Sequence, residues 1–318
     1  MIVVLTGGSG GAKFVDGLRR VVPPENLTII VNTGDDHDWW GLHVSPDLDS
    51  ITYVLAGILS GERGWGVRGD TFYCLQAMKE LGEPFWFSVG DRDLATHVFR
   101  TKLLSQGRTL TEATQIIAQR LNLSPRILPM TNMRVETRVD TPSGEFSFEE
   151  YFVQRWYQDP VNGVRFAGAP VSKPAPGVLE AIAGAQAVLL APSNPVTSIG
   201  PILAIPGIRD ALAKTSAPIV AVSPIIGNAA VSGPAANLMA AQRLEVSITG
   251  IAEAYGGFLD ILIAHDSDAG SAKALSNDHL QVRCCNILMR TSDDKAQLAR
   301  FAMDLAIPQA ASATAEGE

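Results

Sequence analysis

A short apolar run, Ile2-Val3-Val4-Leu5, passes directly into Thr6-Gly7-Gly8-Ser9-Gly10-Gly11-Ala12-Lys13, and this junction constrains the chain more than any other segment. The run has the length and composition of a strand buried on both faces, and residues 12–20 read as the helix that follows it. Glycines at such a turn have no Cβ, so several backbone N–H groups can approach one anion, and the helix N-terminus adds partial positive charge. Phosphate is the expected ligand, with Gly7, Gly8, Ser9, Gly10, Gly11 and Lys13 around it. A second apolar run, Leu27-Thr28-Ile29-Ile30-Val31, ends in Asn32-Thr33-Gly34-Asp35-Asp36, and Asp38 and Ser45-Pro46-Asp47-Leu48-Asp49-Ser50 follow. Open α/β sheets bind ligands at the carboxyl ends of their strands, which is where these carboxylates fall. A phosphate cradle beside hard oxygen ligands points to a nucleotide bridged by magnesium.

Two well-known fingerprints come close and fail. A Walker A loop needs Gly-Lys followed by Ser or Thr, but Lys13 is preceded by Ala12 and followed by Phe14, so the magnesium-binding hydroxyl is missing. The dinucleotide pattern begins at Gly8-Ser9-Gly10 and then puts Lys13 where its third glycine should allow close helix packing. An NAD-dependent oxidoreductase is further disfavoured because two acids follow a glycine at the end of the second strand, rather than one lone acid. Lys+Arg 25 against Asp+Glu 33 gives a net charge of −8, which argues against a nucleic-acid partner held by a basic surface. The three cysteines, Cys74 and the adjacent Cys284 and Cys285, have no metal-ligand spacing and suit a reduced interior. No secretory signal pattern opens the chain and no apolar run approaches a membrane span, so the expectation is a soluble, cytoplasmic protein without a membrane partner.

Farther along, helices are expected over 51–59, over 70–81 with Asp70 as N-cap, and over 109–121 with Thr109 and Glu112 as a capping box. A buried strand is expected over 85–89, leading into Gly90-Asp91-Arg92-Asp93-Leu94-Ala95-Thr96-His97, a second polar cluster opening a helix. From residue 126 the period changes to two, with a turn at Pro142-Ser143-Gly144, which reads as a β-hairpin inserted in an α/β chain. Parallel strands return over 187–191, 219–222, 259–264 and 281–284, and a helix over 293–305 closes the fold. The expected architecture is therefore one α/β domain over 1–307, a Rossmann-like, mostly parallel sheet with helices on both faces. Its core would span 1–125 and 170–307, with a smaller α+β insertion near 126–169 and a disordered tail over 308–318.

This ordered series, completed by Pro192-Ser193-Asn194-Pro195-Val196-Thr197-Ser198-Ile199-Gly200 and Val222-Ser223-Pro224-Ile225-Ile226-Gly227-Asn228, closely resembles the 2-phospho-L-lactate transferase family of coenzyme F420 biosynthesis. The resemblance runs from Met1 to about Leu305. It implies an enzyme that takes a guanosine diphosphate diester of a small acid and moves the acid-bearing phosphoryl group to the ribityl hydroxyl of the deazaflavin Fo, releasing GMP. Magnesium dependence, a homodimer, and contacts of Asp49 and Arg92 with Fo are implied with it. Ser50 stands where Thr is common, and Ala235-Ala236-Asn237-Leu238-Met239 lacks a lysine common among relatives; the latter leaves open whether the acid is lactate, enolpyruvate or glycerate.

Phosphoryl transfer to an alcohol needs in-line geometry, neutralised phosphate oxygens and a destination for the proton, which makes Asp47, Asp49 and Arg92 the catalytic candidates. Asp47 and Asp49 share a face of an extended segment or converge around a turn, and are the favoured magnesium ligands, with Asp36 in reserve; one of them could instead accept the hydroxyl proton. Gly7, Gly8, Ser9, Gly10, Gly11, Lys13, Asn32, Asn194 and Ser198 are assigned to the nucleotide, with Lys13 read as a phosphate contact rather than a solvent-facing lysine, while Asn194 and Ser198 could equally cap their loop. Asp91 and Asp93 are read as ion-pair partners that pin Arg92, and His97 as a core or supporting histidine. Trp39, Trp40 and Trp65 offer either stacking surfaces for a flat tricycle or core packing. The rival of another class is a nucleotide-sugar-binding regulatory protein, which would share the glycine-rich start and bind without turnover; the segment around Asp49 and Arg92 favours the transferase.

Overall fold

A computed structural model describes residues 1–307, and the tail expected over 308–318 lies outside the described residues. The strands are β1 (Ile2–Thr6), β2 (Leu27–Val31), β3 (His37–Trp39), β4 (Leu42–Val44), β5 (Arg126–Pro129), β6 (Glu136–Thr141), β7 (Gly144–Ser147), β8 (Gly163–Ala167), β9 (Ala187–Leu190), β10 (Ile219–Val222), β11 (Ile225–Ile226), β12 (Ala229–Ala230), β13 (Ile261–His265) and β14 (Gln281–Cys285). Seven of them form one sheet in the order β14-β13-β10-β9-β1-β2-β5, all parallel. The chain builds outward from β1 through β2 to β5, then returns to place β9 on the other side of β1. The order thus reverses between β1 and β9, the position where such sheets open a crevice for ligands.

Successive side chains of a strand face opposite sides of the sheet, and the two cores follow that alternation. Val3, Leu5, Ile30, Val188 and Leu190 join one core, while Ile2, Val4, Ile29, Val31 and Leu189 join the other. The second core is covered by α1 (Gly8–Leu18), α2 (Pro46–Leu55), α5 (Leu110–Arg120) and the C-terminal helix Ser292–Ala306, which supply Phe14, Leu48, Ile51, Leu110 and Leu298 among others. Helices therefore flank the sheet on both faces, as expected for a strand set this apolar. The capping box of Thr109 and Glu112 is present, and no single helix among the described residues is long and apolar enough to cross a membrane.

Several local expectations are corrected. Residues 85–89 form no strand: the sheet edge beside β2 is taken by β5, and Trp86, Phe87 and Val89 pack instead on Trp39 and Val44 in a small separate cluster. Residues 126–129 belong to the main sheet, so the insertion begins after Pro129; it is a three-stranded antiparallel sheet, β7-β6-β8, rather than a hairpin alone. Helix α3 (Tyr73–Glu80) is shorter than expected, and Asp70 does not cap it. Asp70 accepts from the backbone N–H of Arg92 and Asp93 at the start of α4 (Asp91–Ser105), while Asp91 accepts from those of Tyr73 and Cys74 at the start of α3. The two helices thus exchange caps, satisfying orphan first-turn donors with carboxylates from each other's entry loops.

Candidate functional site

The first turn of α2 places Asp47 and Asp49 two residues apart in a helix, where each residue advances about 100°. They therefore face sides roughly 200° apart, and the expected convergence of the pair does not occur. One side looks into the β1–β9 crevice and the other onto α4.

In the crevice, Gly8 N–H donates to Asp47 Oδ1 at 2.6 Å and Asn32 Nδ2 donates to Asp47 Oδ2 at 2.9 Å. The glycine-rich turn thus already holds an anion, the carboxylate of Asp47. Asn32 also donates to Asp35 Oδ2 at 2.9 Å and accepts from Gly34 N–H at 2.8 Å, which fixes the loop after β2. Ser193 accepts from Gly7 N–H at 3.3 Å and donates to Gly7 O at 2.7 Å, joining the loops after β1 and β9. A Cβ at Gly7 would press into Asp47, Asn32 and Ser198 together, so glycine is required here by the close approach of three segments. Asn194 accepts from Val196 N–H at 2.9 Å and caps its own turn, while Ser198 is buried over Gly8.

Asp36 Oδ2 accepts a hydrogen bond from the Ser45 hydroxyl at 2.7 Å and faces His43 Nε2 at 3.0 Å. Glu149, just before the turn Glu150–Gln154 of the insertion, is only 7% exposed, and Asp35 feels its charge. Burial first, then the charges of Asp47 and Asp36, pushes Glu149 up to about 8. Burial likewise raises Asp47 to about 6 against the pull of Gly8 N–H and Asn32, and raises Asp35 well above the usual carboxylate range with Asp47 and Glu149 adding to the effect. Among the described residues no lysine or arginine pairs with Asp35, Asp36, Asp47 or Glu149, and the buried Oδ1 atoms of Asp35 and Asp36 have no hydrogen-bond partner.

On the other side of α2, Asp49 is 4% exposed and both its oxygens are met by the guanidinium of Arg100, with Nη1 to Oδ2 at 3.1 Å. His97 Nδ1 lies 3.4 Å from Asp49 and its Nε2 3.5 Å from Asp93, which accepts from the Tyr53 hydroxyl at 2.7 Å. Burial lowers His97 to about 4 and, with the charge of Asp49, raises Asp93 to about 7. Neither Asp91 nor Asp93 pins Arg92 as expected: Asp91 caps α3, Asp93 binds Tyr53, and the exposed Arg92 reaches Arg68 O at 3.1 Å.

Lys13 and Ser9 lie on a flank of α1 and line a groove of about 810 Å³ together with Arg63, Arg68 and Asp70. Arg63 sits over the rings of Trp65 and Phe72 in that groove, whereas Trp39 is buried with Trp86 and Phe87. Arg100, Glu149 and Tyr53 were not among the residues singled out from the sequence. Arg100 had a readable signal, since it stands three residues after His97 and seven after Asp93, on one face of α4. Glu149 had none, because its approach depends on how the insertion folds back.

Either side offers metal ligands. One atom each from Asp49, Asp93 and His97 lie within 4.8 Å of one another, a possible metal site, but Arg100 already supplies a cation to Asp49 there. The crevice side offers mainly carboxylate oxygens, with His43 beside Asp36, no lysine or arginine paired with its acids among the described residues, and unpartnered carboxylate atoms. That is nearer to the donor set magnesium prefers, although among the described residues only Asp49, Asp93 and His97 bring three ligand atoms within 4.8 Å.

With this geometry in place, comparison with known proteins is specific. The family described as 2-phospho-L-lactate transferase CofD matches residues 2–294. The chain is 43% identical over 311 residues to a phosphoenolpyruvate transferase of Streptomyces avermitilis, covering 96% of this chain and 98% of that protein. It is 40% identical over 304 residues to a 2-phospho-L-lactate transferase of Methanosarcina acetivorans, again covering 96% and 98%. A crystal structure of a UPF0052 family member from Bacillus halodurans superimposes with a TM-score of 0.62 at 16% identity, covering 95% of this chain and 98% of that one, a likeness of fold alone.

Proposed function

The chain belongs to the 2-phospho-L-lactate transferase family and is a phospho-acid transferase of F420 biosynthesis; from that premise we propose that its donor is a guanosine diphosphate diester of lactate, enolpyruvate or glycerate and its acceptor is Fo. The ribityl oxygen of Fo attacks the acid-bearing phosphorus, the bond to the GMP phosphate breaks, and the hydroxyl proton passes to a carboxylate of the site. F420-0, or its dehydro form, and GMP leave. The observation that carries this reading is the convergence of Gly7, Gly8, Asn32, Asp47 and Ser198 at the β1–β9 crevice.

In this reading Asp47 and Asp36 hold magnesium, and Asp49 does not join them because Arg100 occupies its oxygens. Magnesium, when bound, neutralises the non-bridging phosphate oxygens as charge shifts between the attacking and leaving groups. The remaining first-turn amides of α1, with Lys13 on its flank, orient the diphosphate. Arg92, exposed at the start of α4, positions Fo, while the buried Asp49, held by Arg100, fixes α4 against α2. A cytoplasmic homodimer is the setting we carry over from the family.

The test incubates Fo and magnesium with each of the three activated acids and follows GMP release and product mass. One acid should give an F420-0-type product, and GTP with Fo should give nothing. Folded protein that releases no GMP with any of the three would overturn the proposal.

A further inference from the structure

Five cationic side chains line the groove beside α1, and two of them, Arg19 and Lys295, are spent on Asp16 at 2.7 and 2.9 Å. The other three, Lys13, Arg63 and Arg68, meet no carboxylate within ion-pair distance among the described residues. They differ in how firmly they are held. Lys13 and Arg68 are exposed, and the Arg68 guanidinium donates to Gly57 O. Arg63 is half-buried, with its Cζ 5.3 Å from the Trp65 ring centroid and 4.9 Å from that of Phe72. Its Nη2 donates to Val67 O at 3.1 Å, and its buried Nε has no hydrogen-bond partner among the described residues. The loop around it is closed by Ser60 N–H on Gly66 O at 3.0 Å and Gly64 N–H on Ser60 O at 2.9 Å. A guanidinium fixed by rings and backbone has little freedom left to lose on binding, and its planar fork matches the two oxygens of a carboxylate.

The donor proposed above carries two anionic parts, a diphosphate and the carboxylate of its small acid. The glycine-rich turn and Lys13 serve the diphosphate, while the crevice acids Asp36 and Asp47 offer a carboxylate no lysine or arginine. Arg92, assigned to Fo, donates from Nη1 to Arg68 O at 3.1 Å, so the anchor of the acceptor stands at the edge of the same groove. Transfer requires the acid-bearing phosphorus to lie between the leaving GMP and the attacking ribityl oxygen. The carboxylate, joined to that phosphorus through one carbon and one oxygen, must lie close beside it. We propose that Arg63 binds the carboxylate of the transferred acid and so makes the enzyme selective for phospho-acids over phosphate esters that lack the carboxylate. This deepens the donor reading and rests on it.

The probe is whichever of the three activated acids the wild-type protein turns over with Fo, set beside the same diester with its carboxylate replaced by hydrogen, which for lactate is the ethyl ester of GDP. Each is titrated by calorimetry in magnesium without Fo, against wild type, Arg63→Met and Arg63→Lys, after circular dichroism confirms folding. Wild type should prefer the carboxylated ligand by about tenfold, the share expected of a charge-assisted contact at a partly exposed site. Arg63→Met should bind the two ligands alike, and Arg63→Lys, with the charge but not the fork, should keep part of the preference. If Arg63→Met retains the wild-type preference, whatever its absolute affinity, or if wild type shows none, the role of Arg63 is overturned and the donor reading stands on its turnover. Wild-type protein that turns over none of the three acids overturns the donor reading, and the role of Arg63 with it.

Discussion

Asp47 and Asp49 are two residues apart on one helix turn and about equally buried, yet Asp49 is met by a guanidinium and Asp47 by a backbone N–H and an amide. Around Asp49 the protein contains its own counter-charge, so the cluster of Asp49, Arg100, His97, Asp93 and Tyr53 is complete as it stands and ties α2 to α4. Around Asp47 the acids Asp35, Asp36 and Glu149 gather with only His43 beside them, and burial holds Asp35 and Glu149 toward the neutral form. A buried acid that carries its own cation holds a fold together; a group of acids without one stores the potential to bind something positive. The same residue type two positions apart therefore serves architecture on one side and ligand on the other.

The sharpest way to break that contrast is to remove the internal cation. Arg100→Met should leave Asp49 charged, buried and unpaired, and should cost about 3–5 kcal/mol of stability in urea unfolding. Arg100→Lys, which keeps the charge and loses the two-pronged contact, should cost clearly less. Asp49→Asn should destabilise as well, since it strands Arg100 instead. If Arg100→Met unfolds within about 1 kcal/mol of wild type, the pair is an ordinary surface-like contact and the architectural reading of this side is wrong.

A smaller effect separates the two sides by pH. Asp47 at about 6 and Glu149 at about 8 are both raised above their ordinary values, so the folded state binds more protons than the unfolded chain over that range. Stability attributable to these groups is full below about pH 4 and is lost as pH rises through 6 and then 8. The metal-free protein should therefore lose on the order of 1 kcal/mol or more between pH 5 and 9, and Glu149→Gln should flatten the upper part of the curve. Asp93, at about 7, contributes in the same direction from the other side, so Asp93→Asn is the necessary control. An unchanged upper limb in Glu149→Gln would mean that Glu149 meets more water than its burial indicates.

What could be read from the chain itself follows the range of the interactions. The runs that became β1, β2, β9 and β10 are continuous and apolar because both faces are covered, and the capping box of Thr109 and Glu112 lies within four residues. The exchanged caps of Asp70 and Asp91 join segments some twenty residues apart, and either acid alone looks like an ordinary cap for its own helix. Residues 85–89 have the composition of a strand, but the edge they would need was claimed by β5. The acids at 47 and 49 were legible as a site and their divergence was not, because a Ser-Pro-Asp start fits both a turn and a helix with proline in its first turn.

The smallest expected effect concerns Lys13, which lies exposed on the flank of α1 and away from the bound carboxylate of Asp47. Because Gly8 N–H is already committed to Asp47, the turn cannot offer all of its amides to a diphosphate, and Lys13 with Arg63 and Arg68 is the cationic lining beside the free ones. An exposed lysine contributes less than a buried one, since water screens its charge, so Lys13→Ala should weaken GDP binding by about fivefold to tenfold and leave stability unchanged. Raising the salt concentration should shrink the difference. Fo affinity should hold, because Arg92, the group assigned to Fo, lies on another element, α4. Calorimetry with each ligand separately decides the matter. Equal weakening of both ligands would mean that the groove beside α1 receives both, whereas unchanged GDP affinity would place the diphosphate wholly in the β1–β9 crevice, on the same side of α2 as the acids that lack a cation.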